Sequence, residues 1–439
     1  MLRELPSRFS PPLIGDSLAF LGDPAGFLAK RSQELGQVFR ANILFDDVAC
    51  LVGPEAFALF LDERYFTRAN ASPPHIQQIL HPDAVPFLEG DVFLRRKRLL
   101  MEIFKEPALD GYARILERVM SRYLRSWAGR ESFAWVPELT AMCMSIAGAL
   151  FIGADPDRDD RPIADAFQTA FGGMLTLPIA LPFTPYGKAL KARDFLRGVI
   201  AEAVRAHRAA PKDDALTQAI AARAQGGAES LSDEEIAIEM FHFFGAYVPV
   251  IGGLCFLVAR LGQNRGVLDR LRAEVQAKLP SGPATMGALR GLPYLDRVCK
   301  ESRRVQPILP ITFFAKVKEE CAFAGVRIPK GMKALGCIGS TLLDADTYPD
   351  PTRFNPDRWE AASARQEAAW VPHGGGAHLM AHRCAGERLA DLMLKTFAVL
   401  LLREYEWTFP PQDFAPTQGQ LFATPKGGLA VKLGPLARG

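Results

Sequence analysis

Apolar positions recur at i, i+3 and i+4 through most of the middle of the chain, over residues 92–104, 109–125, 133–150, 163–171, 188–209 and 213–225. This spacing puts one apolar stripe on each helix, so the reading from about residue 90 to 280 is almost wholly helical. Earlier, 24–35 and 54–61 carry helical patterns around two β-type runs, 38–43 and 49–52. The last third mixes helices with short strands, among them a Gly-turned hairpin at 322–331 and a closing run at 421–433. No repeat, low-complexity block or flexible linker divides these parts. The pattern predicts one domain over 1–439, mainly α with a minor β portion.

Residues 240–261 are apolar on every side, and Ser232-Asp233-Glu234-Glu235 just upstream has the spacing of a capping box. Together they predict one helix from about 233 to 261, roughly 45 Å long. Such a helix is long enough to cross a bilayer. It also holds His242, Pro249 and Gly252-Gly253, and no second spanning candidate accompanies it, so it is read as a buried central helix. Residues 172–187 form an apolar stretch with three prolines, which fits either a well-packed connection or a greasy rim over an apolar pocket.

With 439 residues, 49% hydrophobic and 23% charged, the composition excludes disorder, collagen and disulfide scaffolds. A formal charge of +3 supplies no field for nucleic acid. Seven cysteines, an odd number without a CxxC pair, argue for a reducing compartment and against a local zinc cluster. The first twenty residues lack a signal-peptide pattern, which agrees with a cytoplasmic location.

The chemistry concentrates in residues 371–387, VPHGGGAHLMAHRCAGE, ahead of an amphipathic run at 388–407. Cys384 therefore stands just before a helix N-terminus, where the dipole and free N–H groups favour thiolate. Gly386 leaves room beside it, and Gly374, Gly375 and Gly376 let backbone approach something flat and bulky. Thiolate is the haem ligand that favours O–O cleavage. Upstream, Glu301 and Arg304 share a helix face, and Arg358 lies in the Pro-rich segment 348–359.

In that order and spacing these motifs resemble the cytochrome P450 family of haem-thiolate enzymes over nearly the whole chain. The resemblance implies the family's fold, a long central helix over a buried haem b (iron protoporphyrin IX), with Cys384 as the axial iron ligand. It makes Glu301, Arg304 and Arg358 a structural triad beneath the haem. It also makes 92–104 the helix that meets a haem propionate, where Phe93 replaces the usual His and Lys97, with Arg98 beside it, the usual Arg. His382 matches a second propionate contact. The seven residues between the glycines and Cys384 are similar to those of the bacterial fatty-acid peroxygenases, as are 66–71 and 424–429. Peroxygenases set an Arg-Pro pair over the haem, and that pair falls on Gly245 and Ala246. Monooxygenases set an acid and an alcohol there, and those positions hold Tyr247 and Val248. Family members line the pocket near His75 and Ile76, here read as loop, and near Phe244. His242 reads more readily as a core histidine bonded to a carbonyl than as a catalytic group. The resemblance implies oxidation of a hydrophobic small molecule by a monooxygenase fed by a ferredoxin or reductase, with hydrogen peroxide as the alternative oxidant. A non-oxidative isomerase or dehydratase and a haem-bearing binding protein stay open.

Overall fold

In the computed structural model, which describes residues 2–436 except 11–14, 45, 157–160, 224–226, 228 and 419–421, the helical stripes bury one another. Helices Glu106–Trp127, Trp135–Phe151, Val248–Gln263 and Glu387–Glu404 pack together, with Trp127 and Trp135 fully buried between them. Helices Arg161–Gly172 and Pro185–Ala209 lie side by side, and Pro185–Ala209 also packs on Asp233–Gly245. Side-chain caps start several helices: Thr184 accepts from the Gly187 amide, and Asp214 from that of Thr217.

The β portion is small. A five-stranded sheet has the order Val38–Ile43, Asp46–Leu51, Lys333–Gly336, Ala315–Val317, Phe66–Thr67. The first pair is antiparallel, with Val38 opposite Leu51, and the second is parallel, with Cys50 opposite Leu335. Strand Ala430–Pro435 pairs with both Phe133–Ala134 and Tyr405–Thr408. Cys321–Phe323 and Val326–Ile328 form the expected hairpin, turned by Ala324 and Gly325, both at positive φ. Residues 224–225 of the expected 213–225 helix and residue 421 of the closing run lie outside the described residues. The helix there spans Ala215–Ala221. Residues 133–134, expected as helix, are strand.

The capping box forms: the Glu235 amide donates to Ser232 Oγ at 3.1 Å and the Ser232 amide to Glu235 Oε2 at 2.8 Å. The helix it starts is not continuous, however. Asp233–Gly245 ends in a turn at Ala246 and Tyr247 before Val248–Gln263 begins. Pro249 has no N–H for the Gly245 carbonyl and its ring crowds that oxygen. The amide of Val250 instead turns to the Tyr247 carbonyl at 3.0 Å. The apolar stretch across both segments is long enough to span a membrane, but 78% of its most apolar window is buried inside the fold.

The segment after Gly172 is packed at its ends, at Met174 and Tyr186, but not between them. Leu177, Ile179, Leu181 and Phe183 are all exposed.

Candidate functional site

Cys384 sits two residues before Gly386, the N-cap of helix Glu387–Glu404, and its amide donates to the His373 carbonyl at 3.0 Å. Gly374 and Gly376 have φ of 78° and 86°, a region that favours glycine, so the loop's course depends on them. A Cβ on Gly375 would come within 2.6 Å of the Leu61 side chain. The other six cysteines are buried, whereas Cys384 keeps accessible surface although protein surrounds it. Cys384 thus differs from the other six, which pack in the core.

Burial pushes the Cys384 thiol above its ordinary value, and the Glu387 carboxylate adds to this, while Lys97, the Gly386 N–H and Arg383 pull it down. The expectation that the helix start alone favours thiolate therefore needs correcting, because desolvation outweighs it. A bound metal cation would reverse that balance by deprotonating the thiol.

Beside the cysteine lies a group of buried cations. Lys97 donates to the Arg383 carbonyl, and Arg68 Nη1 donates to the Phe313 carbonyl at 2.6 Å. Neither forms an ion pair with a carboxylate among the described residues. Burial lowers the basicity of both, Arg68 to about 10 against an opposing pull from Glu89. His382 stacks on Phe93 with ring centroids 4.1 Å apart, and burial with Arg68 and Lys97 lowers its pKa to about 3. A dry cluster of cations bonded only to carbonyls suits an anionic ligand. The two carboxylates of iron protoporphyrin IX fit that demand, with Cys384 as donor to the iron. Arg68 had no role assigned from the sequence, since it stands 29 residues before Lys97 and only the fold joins them. Arg98, next to Lys97, is exposed on another face of helix Gly90–Glu102.

Glu301 and Arg304 are completely buried and joined twice, by Nε to Oε2 at 2.8 Å and Nη2 to Oε1 at 2.9 Å. Arg358 Nε and the Asn355 amide also donate to Glu301 Oε1, at 3.0 and 3.1 Å, and Trp359 Nε1 to Oε2 at 2.9 Å. Arg304 Nη1 reaches the carbonyls of Leu342 and Pro351. The three residues thus tie the 348–359 segment to helix Pro293–Val305. Arg303 extends the brace towards the cysteine: Nη2 meets Asp391 at 2.6 Å and Nη1 meets His373 Nε2 at 3.2 Å.

Along the central helix three directions separate. Phe244 stacks on Phe167 at 3.5 Å, and a Cβ on Gly245 would meet the Phe171 ring at 1.8 Å. Tyr247 turns towards helix Trp135–Phe151, its ring 5.4 Å from that of Phe151. Its hydroxyl is buried without a hydrogen-bond partner among the described residues, and burial with the nearby Cys143 and Tyr112 raises its pKa. A third direction holds His242 and Ala246, one turn apart. Ala246 is exposed between buried Gly245 and Tyr247, and Val248 is half-buried. Two turns on, Gly253 approaches Leu394 of the cysteine helix, where a Cβ would lie at 3.7 Å.

His75 and Ile76 lie on helix Pro74–Leu80, not in a loop. His75 Nε2 contacts the Met174 carbonyl at 3.3 Å, and Tyr186 donates to Gln78 Oε1 at 2.6 Å, so this helix is joined to the 172–187 segment. Ile76 packs on the main core. A surface cleft of about 710 Å³ against the five-stranded sheet, lined by Arg40, Asp47 and Lys316, contains none of these residues.

A profile of the Cytochrome P450 family matches residues 6–433. The putative cytochrome P450 120 of Synechocystis sp. is 29% identical over 98% of this chain and 96% of its own length. Cytochrome P450 26A1 of Gallus gallus is 28% identical over 92% of this chain and 84% of its own. The abscisic acid 8'-hydroxylase 1 of Oryza sativa is 26% identical over 97% and 89%. Among solved structures, retinoic acid bound cyanobacterial CYP120A1 superposes with a TM-score of 0.90 at 29% identity, covering 99% of this chain and all of that one. Cytochrome P450SP alpha (CYP152B1) with (R)-ibuprophen gives 0.80 at 23% identity over 95% and 98%, a likeness of fold alone.

Proposed function

The chain belongs to the cytochrome P450 family, a family of haem b oxidoreductases, and on that premise we propose that it is a monooxygenase hydroxylating an elongated apolar carboxylic acid, with Cys384 as the axial ligand. The observation that carries the reading is Cys384, the one cysteine with accessible surface, together with the carbonyl-bonded cations Lys97, close to it, and Arg68, close to His382 two residues away. When bound, haem supplies the iron at which an oxidant is activated. Lys97, Arg68 and His382 would meet its carboxylates. The Glu301, Arg304 and Arg358 brace keeps the segment before the cysteine loop in position. Arg303 and His373 hold the backbone at Cys384 from the other side.

For the substrate, two supports stand together. Several similar proteins carry an acid in their names, retinoic acid in the CYP120A1 complex and abscisic acid in the rice hydroxylase. The setting of the central helix is apolar and aromatic, with Phe167, Phe171, Phe241 and Phe244 stacking together in the core beside it, and such surroundings suit a long apolar body. Seven unpaired cysteines, six of them buried, support a reducing, cytoplasmic setting.

Peroxide use is the second reading, favoured by the likeness of the seven residues between Gly376 and Cys384 to those of the fatty-acid peroxygenases. Against it, the central helix's own X-Pro pair is Val248-Pro249, and valine has no charge with which to hold a carboxylate. Paired turnover decides between them: the holoenzyme is given retinoic acid and fatty acids, once with a ferredoxin, its reductase and O₂, once with hydrogen peroxide. Product that requires reductant supports the monooxygenase. Product from peroxide alone supports the second reading. Rearrangement of a fatty-acid hydroperoxide with neither would mark an isomerase, and binding without product a binding protein.

A further inference from the structure

The central helix carries a charged assembly that the reading above leaves unused. Glu239 is completely buried. Its Oε1 accepts from the Val85 amide at 2.9 Å and from Arg96 Nη1 at 2.8 Å. Arg96, itself buried, reaches on to Glu235 at 2.8 Å, and Glu235 pairs with Arg95 at the same distance. Two arginines thus balance two glutamates, and Glu239 has one oxygen left.

That oxygen, Oε2, faces His242 Nδ1 at 3.3 Å. A carboxylate can only accept, so Nδ1 carries the hydrogen and the ring is oriented. The side chain of His242 is 17% exposed, although residues 241 and 243–245 are buried. Ala246, one turn on along the same face, is exposed. Val85 belongs to the turn Val85–Phe87, which follows helix Pro74–Leu80 in the candidate pocket wall. Nε2 of His242 has no protein partner among the described residues. An imidazole locked by a buried carboxylate, part-exposed and with its second nitrogen free of a protein partner among the described residues, is a built hydrogen-bonding site.

We infer that His242 is the residue that holds the carboxyl group of the substrate, by a hydrogen bond between Nε2 and a carboxyl oxygen, with Glu239 and Arg96 as its positioning residues. The bond needs one proton between the two atoms, which the acid brings. With Nδ1–H held by Glu239, Nε2 offers a lone pair, and a methyl ester brings no proton to it, so the site distinguishes acid from ester. This inference rests on the acid reading of the substrate and adds the residue that recognises it.

Calorimetric titration of the holoenzyme with dodecanoic acid and methyl dodecanoate tests it without turnover. The wild-type protein is expected to bind the acid about tenfold more tightly than the ester, as one hydrogen bond allows. In His242→Leu the ratio should fall to about one while ester affinity stays within about twofold. His242→Gln, which keeps a hydrogen-bonding head, should retain part of the preference, and Glu239→Gln should weaken it by loosening the ring. Melting temperature and the reduced carbon monoxide spectrum identify folded variants, and the Gln variant carries the test if the Leu variant does not fold. An undiminished acid preference in folded His242→Leu, or in folded His242→Gln if the Leu variant fails, would overturn the role of His242 and leave the acid reading intact. A ratio of one in the wild-type protein would overturn the acid reading itself.

Discussion

Glu301 and Arg304, one helical turn apart and both fully buried, share two hydrogen bonds of 2.8 and 2.9 Å. The carboxylate accepts three further donors, from Asn355, Arg358 and Trp359, so its charge is matched on all sides. Removing one partner from such a pair strands the other in a dry interior. Glu301→Gln is expected to cost about 3–5 kcal/mol. Chemical denaturation of the variant beside the wild type reads this, and a loss below about 1 kcal/mol would mean that the brace carries little.

Cys384→Ala should abolish the far-red-shifted Soret band of the reduced carbon monoxide complex. Lys97→Ala should keep the band but lower haem retention, since it removes one of the cations proposed to meet the propionates. Haem content after gel filtration separates the two effects. Equal retention in Lys97→Ala and wild type would argue against a propionate at Lys97.

Tyr247 keeps a buried hydroxyl without a partner among the described residues. Deleting an unsatisfied polar group removes its desolvation cost, so Tyr247→Phe should be stabilised by about 1 kcal/mol. A rise in melting temperature is the readout. A loss of stability would mean that the hydroxyl has a bond in solution.

Pro249 interrupts the central helix. Pro249→Ala restores an N–H opposite the Gly245 carbonyl, and this new amide should exchange with solvent more slowly than that of Tyr247. Exchange as fast as in a loop would show that the break is imposed by the surrounding packing and not by proline.

Burial raises the Glu235 carboxyl, but Arg95, the Ser232 amide and Arg96 outweigh it and bring the pKa to about 2 from an ordinary 4.5. A depressed carboxyl contributes stability above the unfolded value, and this is lost as pH falls from about 4.5 towards 2. Glu235→Gln should therefore be weaker by about 1–2 kcal/mol at pH 7, discounted for partial exposure, and equal to wild type near pH 2. Denaturation midpoints across that range check the sign.

Local pattern determined much of this protein. Helical stripes, the capping box at Ser232 and the hairpin at Ala324-Gly325 each follow from residues within a few positions of one another. Cys384, its glycines and the Glu301 to Arg304 spacing were legible for the same reason, since each motif sits on one element. What pairwise spacing cannot carry is the meeting of distant elements. The tertiary structure alone brings Arg68 beside Lys97 and His382, turns Tyr247 away from Ala246, and sets Glu239 against Val85 and Arg96. It also decides the balance at Cys384, because helix N–H groups act locally whereas desolvation depends on everything packed around the sulfur. His242 reads from the sequence as a core histidine bonded to a carbonyl because the sequence records only its type, whereas the fold sets its Nδ1 against the Glu239 carboxylate.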